Sequence, residues 1–216
     1  MIFNLSEHPS VGNRYIAELR DVNIQKDRMR FRKNMERIGS ILAYQISEEL
    51  DYELREVETP LGVTEASFPA DQIVLGTILR AGLPLHQGCL DVFDDADNAF
   101  VSAYRKHHKD GTFEIKVEYV SCPSIHGKIL IMTDPMLATG ASMVASVKHL
   151  LDYGTPKAIH VAVAIAAESG INYLRRNLPK VKIWAGAIDA ELTAKSYIVP
   201  GLGDAGDLAY GEKLQD

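Results

Sequence analysis

The chain has 216 residues, a length that suits one large domain and buries a full core without disulfide or metal staples. Hydrophobic residues make up 46% and charged residues 24%, the balance of a globular protein, and no tract reads as disordered. A formal charge of −6 argues against a nucleic-acid partner, which needs a basic face, and no apolar stretch is long enough to span a membrane.

The opening MIFNLSEHPS lacks a basic region followed by an apolar run, so no signal peptide is expected. Cys89 and Cys122 lie too far apart for a disulfide framework or a CxxC metal pair. Both read as small core residues, and a cytoplasmic protein is expected. Residues 12–50 read as helical: Met35, Ile38, Leu42 and Ile46 recur at spacings of three and four, with Gly39-Ser40 weakening the middle. Arg28, Arg30, Arg32, Lys33 and Arg37 of this stretch, interleaved with acids, read as a solvated face. A polar linker with Thr59-Pro60 and Gly62 follows, reaching Pro69.

Strands and helices then alternate. Residues 72–79 read as a buried strand, 84–93 as a helix and 99–104 as a strand. Residues 105–111 form a charged turn, and Phe113, Ile115, Val117 and Tyr119 alternate with polar residues as a half-exposed strand. Residues 99–121 are thus one long hairpin. Strands at 128–132, 158–166 and 181–188 alternate with helices at 142–152 and 171–177. This order predicts an α/β fold, an open and mostly parallel sheet flanked by helices, in one domain spanning 1–216. From Ser196 the chain is rich in Gly and Asp and reads as an irregular tail.

The informative segment runs from Lys128 to Ser142. A buried strand ends in Asp134, and a small-residue loop leads into a helix start. Crevices at the carboxyl ends of parallel strands are where such sheets bind ligands. Thr139, Gly140, Ala141 and Ser142 supply N–H groups and two hydroxyls, which suits a phosphate. Asp134 could then accept hydrogen bonds from sugar hydroxyls, or merely cap a turn before Pro135; the residues alone leave both open.

The whole segment, Asp134-Pro135-Met136-Leu137-Ala138-Thr139-Gly140-Ala141-Ser142, resembles the signature with which phosphoribosyltransferases bind 5-phosphoribosyl 1-diphosphate (PRPP). Its wording is similar to that of the uracil phosphoribosyltransferases. It departs in carrying Thr133 where the wider class has a second acid, and Ala141 where the uracil enzymes have glycine. Ile78-Leu79-Arg80-Ala81-Gly82-Leu83 resembles the family's pyrophosphate loop, although Pro84-Leu85-His86-Gln87 depart from its usual continuation. Arg80 offers a planar, permanently charged fork for phosphate oxygens, and Gly82 lets backbone approach a ligand. Tyr104-Arg105 resembles the strand-end pair whose arginine reaches the pyrophosphate, and the hairpin around 99–121 the hood over the site. Lys106-His107-His108-Lys109 read as solvated. The tail, Tyr197-Ile198-Val199-Pro200-Gly201-Leu202-Gly203-Asp204-Ala205-Gly206-Asp207, closely resembles the family's uracil-binding loop, with Leu208 where a basic residue is common.

The resemblance implies a type I phosphoribosyltransferase fold and conversion of uracil and PRPP to UMP and pyrophosphate in pyrimidine salvage. Asp134, Arg80 and Arg105 would be catalytic, and residues 134–142 with Arg80, Arg105 and Asp204 would bind PRPP. Ile198, Gly203, Asp204 and Ala205 would read uracil. Mg²⁺ would come with the substrate, without direct protein ligands, and Asp204 would approach it through water. Some members are activated by GTP. A homodimer is expected, because the N-terminal helices must bury an apolar face. Two alternatives share the fold: an RNA-binding regulator of pyrimidine genes, and a diverged, weakly active paralogue.

Overall fold

The computed structural model describes residues 1–107 and 113–213, without the side chains of residues 104–107 and 113–116. Seven strands form the main sheet. They are β1 (Ile2–Asn4), β4 (Ile73–Leu79), β5 (Asp97–His107), β6 (Phe113–Ser121), β7 (Ile129–Leu137), β8 (Ala158–Ala167) and β9 (Lys182–Asp189). Their order is β1-β9-β8-β7-β4-β5-β6, and every neighbouring pair is parallel except β5 with β6. The expected α/β class and its open, mostly parallel sheet are therefore observed.

Helices cover both faces. On one side α1 (Val11–Arg20), α2 (Arg28–Ser47) and α3 (Leu83–Leu90) bury Ile16, Leu19, Phe31, Met35, Ile38, Leu42 and Leu85. On the other, α4 (Ala141–Leu150) and α5 (Glu168–Asn177) bury Met143, Val144, Val147, Ile171 and Leu174. Central strands buried on both faces read as unbroken apolar runs, which is why β4 and β8 look alike in sequence.

The helices expected over 12–50 are α1 and α2: Asp21 turns the chain between them, accepting from the Asn23 and Ile24 N–H groups, and Asp27 caps α2 by accepting from Arg30 N–H. Two expectations need correction. The polar linker is a hairpin of β2 (Tyr52–Thr59) and β3 (Gly62–Pro69), paired over its full length. The tail holds regular structure: β10 (Glu191–Leu192) pairs with β11 (Ile198–Val199), and a short helix α6 (Ala205–Tyr210) follows.

The basic stretch on α2 is also no mere solvated face. Arg30 pairs with Glu18, whose carboxyl Arg30, Asn34 and Arg14 hold down at about 2, and this braces α1 on α2. Arg32 donates to the Ala209 carbonyl at the end of α6. Cys89 is a buried core thiol, pushed up to about 12 by burial, whereas Cys122 is only half-buried.

Candidate active site

The strand carrying the phosphate motif is longer than its apolar run. Asp134, Met136 and Leu137 pair with Val163, Ile165 and Ala166 of β8, so residues 134–137 are strand. Burial alternates along them, with Pro135 and Leu137 buried and Asp134 and Met136 half-buried, which keeps the strand going past the carboxylate. The loop proper is Ala138, Thr139 and Gly140, and Ala141 and Ser142 open α4. Gly140 has φ +78°, and a Cβ there would lie 2.8 Å from the Gly170 carbonyl. The left-handed position that demands glycine is therefore Gly140, and Ala141 is an ordinary first helical residue.

No side chain caps α4; Thr139 Oγ1 accepts from the Ala141 N–H at 3.4 Å. The N–H groups of this first turn face a loop of small residues, the arrangement that favours a phosphate. The reading of Asp134 as a turn cap fails, since it sits in paired strand and takes no hydrogen bond or ion pair among the described residues. Burial pushes its carboxyl up to about 8. Thr133 points the other way, fully buried, and its hydroxyl donates to the Gly76 carbonyl while Thr77 Oγ1 donates to the Thr133 carbonyl. The two threonines tie β7 to β4, and an acid at 133 would be an unpaired charge in that seam.

The second loop leaves β4 through a cis Leu79–Arg80 peptide. A Cβ on Gly82 would lie 2.2 Å from Thr77 Oγ1 and 3.2 Å from the Thr133 carbonyl, so the loop turns directly beside the residue preceding Asp134. The altered residues 84–87 are absorbed into α3. Pro84 stands in its first turn, and the buried His86 ring bonds Asn98 Oδ1 at 2.7 Å while burial lowers its pKa.

The tail closes on this loop. Arg80 donates to Asp207 Oδ1 at 3.2 Å and to the Gly211 carbonyl at 2.6 Å, and a Cβ on Gly206 would lie 3.6 Å from Ala81. Asp204 caps α6 by accepting from the Asp207 N–H, with Lys213 3.6 Å from its other oxygen. Ile198 and Ala205 are buried, Gly203 is exposed at φ +94°, and the Val199–Pro200 peptide is cis. Leu208 packs on the core cluster beneath the tail, which accounts for an apolar residue there. Arg105 belongs to β5, the strand next to β4, but its side chain lies outside the described residues. The same holds for Lys106 and His107, and residues 108–111 of the expected turn are outside them altogether.

Asp134, the loop 138–142, Arg80 and the tail thus gather at the carboxyl ends of the adjacent strands β4 and β7. Sequence reasoning missed Asp207 as the partner of Arg80, although it stands within the tail motif, and missed the Gly211 carbonyl, which carries no side-chain signal. Among the described residues no group of three His, Cys, Asp or Glu side chains is gathered to hold a metal ion, and no helix is long and apolar enough to cross a membrane.

The family model for uracil phosphoribosyltransferase matches residues 5–212 of this chain. The chain belongs to the uracil phosphoribosyltransferase family. It is 53% identical over 214 residues to a uracil phosphoribosyltransferase of Porphyromonas gingivalis, covering 99% of each chain. It is 37% identical over 217 residues to that of Pyrococcus furiosus, covering 99% of this chain and 91% of the other. Among solved structures it is similar to the AQ2163 protein of Aquifex aeolicus, with a TM-score of 0.88, 31% identity and full coverage of both chains. As a family member the chain is a phosphoribosyltransferase, and the resemblance of its four motifs to that family was a true signal.

Proposed function

We propose that this phosphoribosyltransferase joins uracil to the ribose of PRPP, releasing pyrophosphate, within one domain spanning residues 1–216. The observation that carries the reading is the meeting of three family motifs at the carboxyl ends of β4 and β7, with the tail fastened to the Arg80 loop through Arg80. Uracil N1 bonds to the anomeric carbon as the C–O bond to pyrophosphate breaks, the electron pair leaving with pyrophosphate and the N1 proton passing to solvent. No protein nucleophile is needed. The charge that develops on the ribose and on the leaving group is met by fixed donors and charges.

In this reading the N–H groups of 138–142 hold the 5-phosphate and Asp134 accepts the ribose hydroxyls. Pro135, Met136 and Leu137 shape the floor. Arg80 and Arg105 hold the pyrophosphate, and Asp207 aims the guanidinium of Arg80. Ile198, Gly203, Asp204 and Ala205 read the base. The carboxylate set fits Mg²⁺ that keeps water and substrate oxygens as its main ligands, because Asp204 has one lightly engaged oxygen and no cage surrounds it. When bound, the ion neutralises charge on the departing pyrophosphate. A homodimer suits the β2–β3 hairpin, a separate two-stranded sheet on which Leu54, Leu61 and Val63 are exposed.

The RNA-binding alternative is disfavoured by the net charge of −6 and by the acidic partners of the α2 cations, Glu18 for Arg30 and Glu36 for Lys33, which offset the one basic stretch. The experiment is turnover with PRPP, Mg²⁺ and each nucleobase in turn. UMP from uracil is the expected product, and no nucleotide from any base would overturn the reading.

A further inference from the structure

The tail is fastened at a second place, by residues other than Arg80. Arg20, the last residue of α1, makes a two-pronged ion pair with Asp189, the last residue of β9, both N···O distances being 2.8 Å. The same two side chains hold both polar groups of one peptide residue. Arg20 donates to the Gly201 carbonyl at 3.0 Å, and the Gly201 N–H donates to Asp189 Oδ2 at 2.9 Å.

Gly201 is the residue after cis-Pro200, at φ +58°, and a Cβ on it would lie 2.1 Å from the Ile198 carbonyl. The turn from Ile198 to Gly201 is therefore closed on itself, and its direction is set by whatever grips Gly201. Asp189 is 8% exposed in its side chain and Arg20 22%, so this grip works in a largely dry setting where charge-assisted bonds are strong. Ile198 lies on one side of the gripped residue and Gly203 to Ala205 on the other.

We infer that Arg20 and Asp189 are positioning residues for base recognition: their ion pair fixes the backbone of Gly201 and thereby the groups of Ile198 and of 203–205 that meet uracil. The inference rests on the tail being the base site. It also gives helix α1, which lies outside the four motifs, a part in specificity.

Steady-state kinetics test it. Arg20→Leu should raise the KM for uracil by about ten- to a hundredfold, the effect of misplacing recognition groups by roughly an ångström, with the KM for PRPP unchanged. Arg20→Lys should fall between, since an ammonium cannot serve Asp189 and the Gly201 carbonyl as a fork does. Asp189→Asn, nearly isosteric, carries the same test should Arg20→Leu fail to fold. Glu18→Gln is the control, loosening α1 without touching the tail; it should lower the melting temperature and leave uracil KM alone. The inference is overturned by unchanged uracil KM in folded variants, by uracil and PRPP KM rising together, or by an equal rise in Glu18→Gln. Ala205→Pro, measured alongside, separates the two failures. If it too leaves uracil KM unmoved, the tail is not the base site; if it alone raises uracil KM, the tail stands and the clamp falls.

Discussion

Asp134 is held half-buried near the end of β7 with no side-chain partner among the described residues, and that cost is visible in its raised pKa of about 8, against an ordinary 3.8. The sign of the pH effect follows. Between those two values the folded protein binds one proton more than the unfolded chain, so this residue makes stability fall as pH rises through the window. Asp134→Asn abolishes the dependence. Its melting temperature should exceed the parent's by more at pH 8 than at pH 5, while kcat falls by about a hundredfold or more because an amide cannot gather the ribose hydroxyls as a carboxylate does. Calorimetry at the two pH values and initial rates check both halves; near-normal kcat would remove Asp134 from the ribose role. From the residues alone Asp134 could be a ligand group or a turn cap; the pairing of 134–137 with β8 removes the second reading. Gly140 was not legible as the left-handed residue beside Ala141, since its constraint comes from Gly170, thirty residues on.

At the scale of elements, the placement of the pyrophosphate loop depends on how α3 sits on α2. The helices cross where each has a glycine: a Cβ on Gly39 would lie 2.2 Å from the Leu85 carbonyl, and one on Gly88 would lie 1.9 Å from the Glu36 carbonyl. Ser40 Oγ sits at the same crossing, 3.0 Å from the Gly88 carbonyl. The Gly39-Ser40 pair that reads as a weak point in an isolated helix is thus the contact that lets two backbones approach. Gly88→Ala should destabilise the protein by about 1–3 kcal/mol, or several degrees in melting temperature, because the clash is with backbone that cannot step aside. An unchanged melting temperature would mean that α3 is free to shift. Strongly periodic elements such as β4, β8 and the later half of α2 were readable from sequence. The β2–β3 hairpin was not, because charged residues such as Glu53, Arg55, Glu56 and Glu58 fill both faces and leave no clean alternation. Helix α6 escaped too, being six residues opened by a capping Asp204 among glycines.

For the molecule as a whole, the sheet brings the loop 138–142 and the Arg80 loop together at the ends of β7 and β4, and two fastenings hold the tail. One runs from Arg80 to Asp207 and Gly211, the other from Arg20 and Asp189 to Gly201. Neither could be read from sequence, since each joins residues more than a hundred positions apart, or joins a side chain to a backbone group. On the proposed reading of the tail as the base site, recognition would rest mainly on its backbone. Uracil shows an acceptor, a donor and an acceptor along O2, N3–H and O4. Cytosine replaces the last two with an acceptor and an amine, leaving two mismatched contacts in a desolvated pocket. Sites built for specific hydrogen bonds reject such mismatches by about 10⁴-fold. The Ala205 N–H meets no acceptor among the described residues, and proline suits the first position of a helix, so Ala205→Pro removes this donor with little strain. The decisive measurement is a competition in which uracil and cytosine share limiting PRPP and the nucleotides are separated and counted, in the parent protein and in Ala205→Pro. UMP alone from the parent, and loss of UMP formation with retained PRPP binding in Ala205→Pro, is the result expected; CMP formed within about tenfold of UMP would contradict backbone readout of the base by this tail.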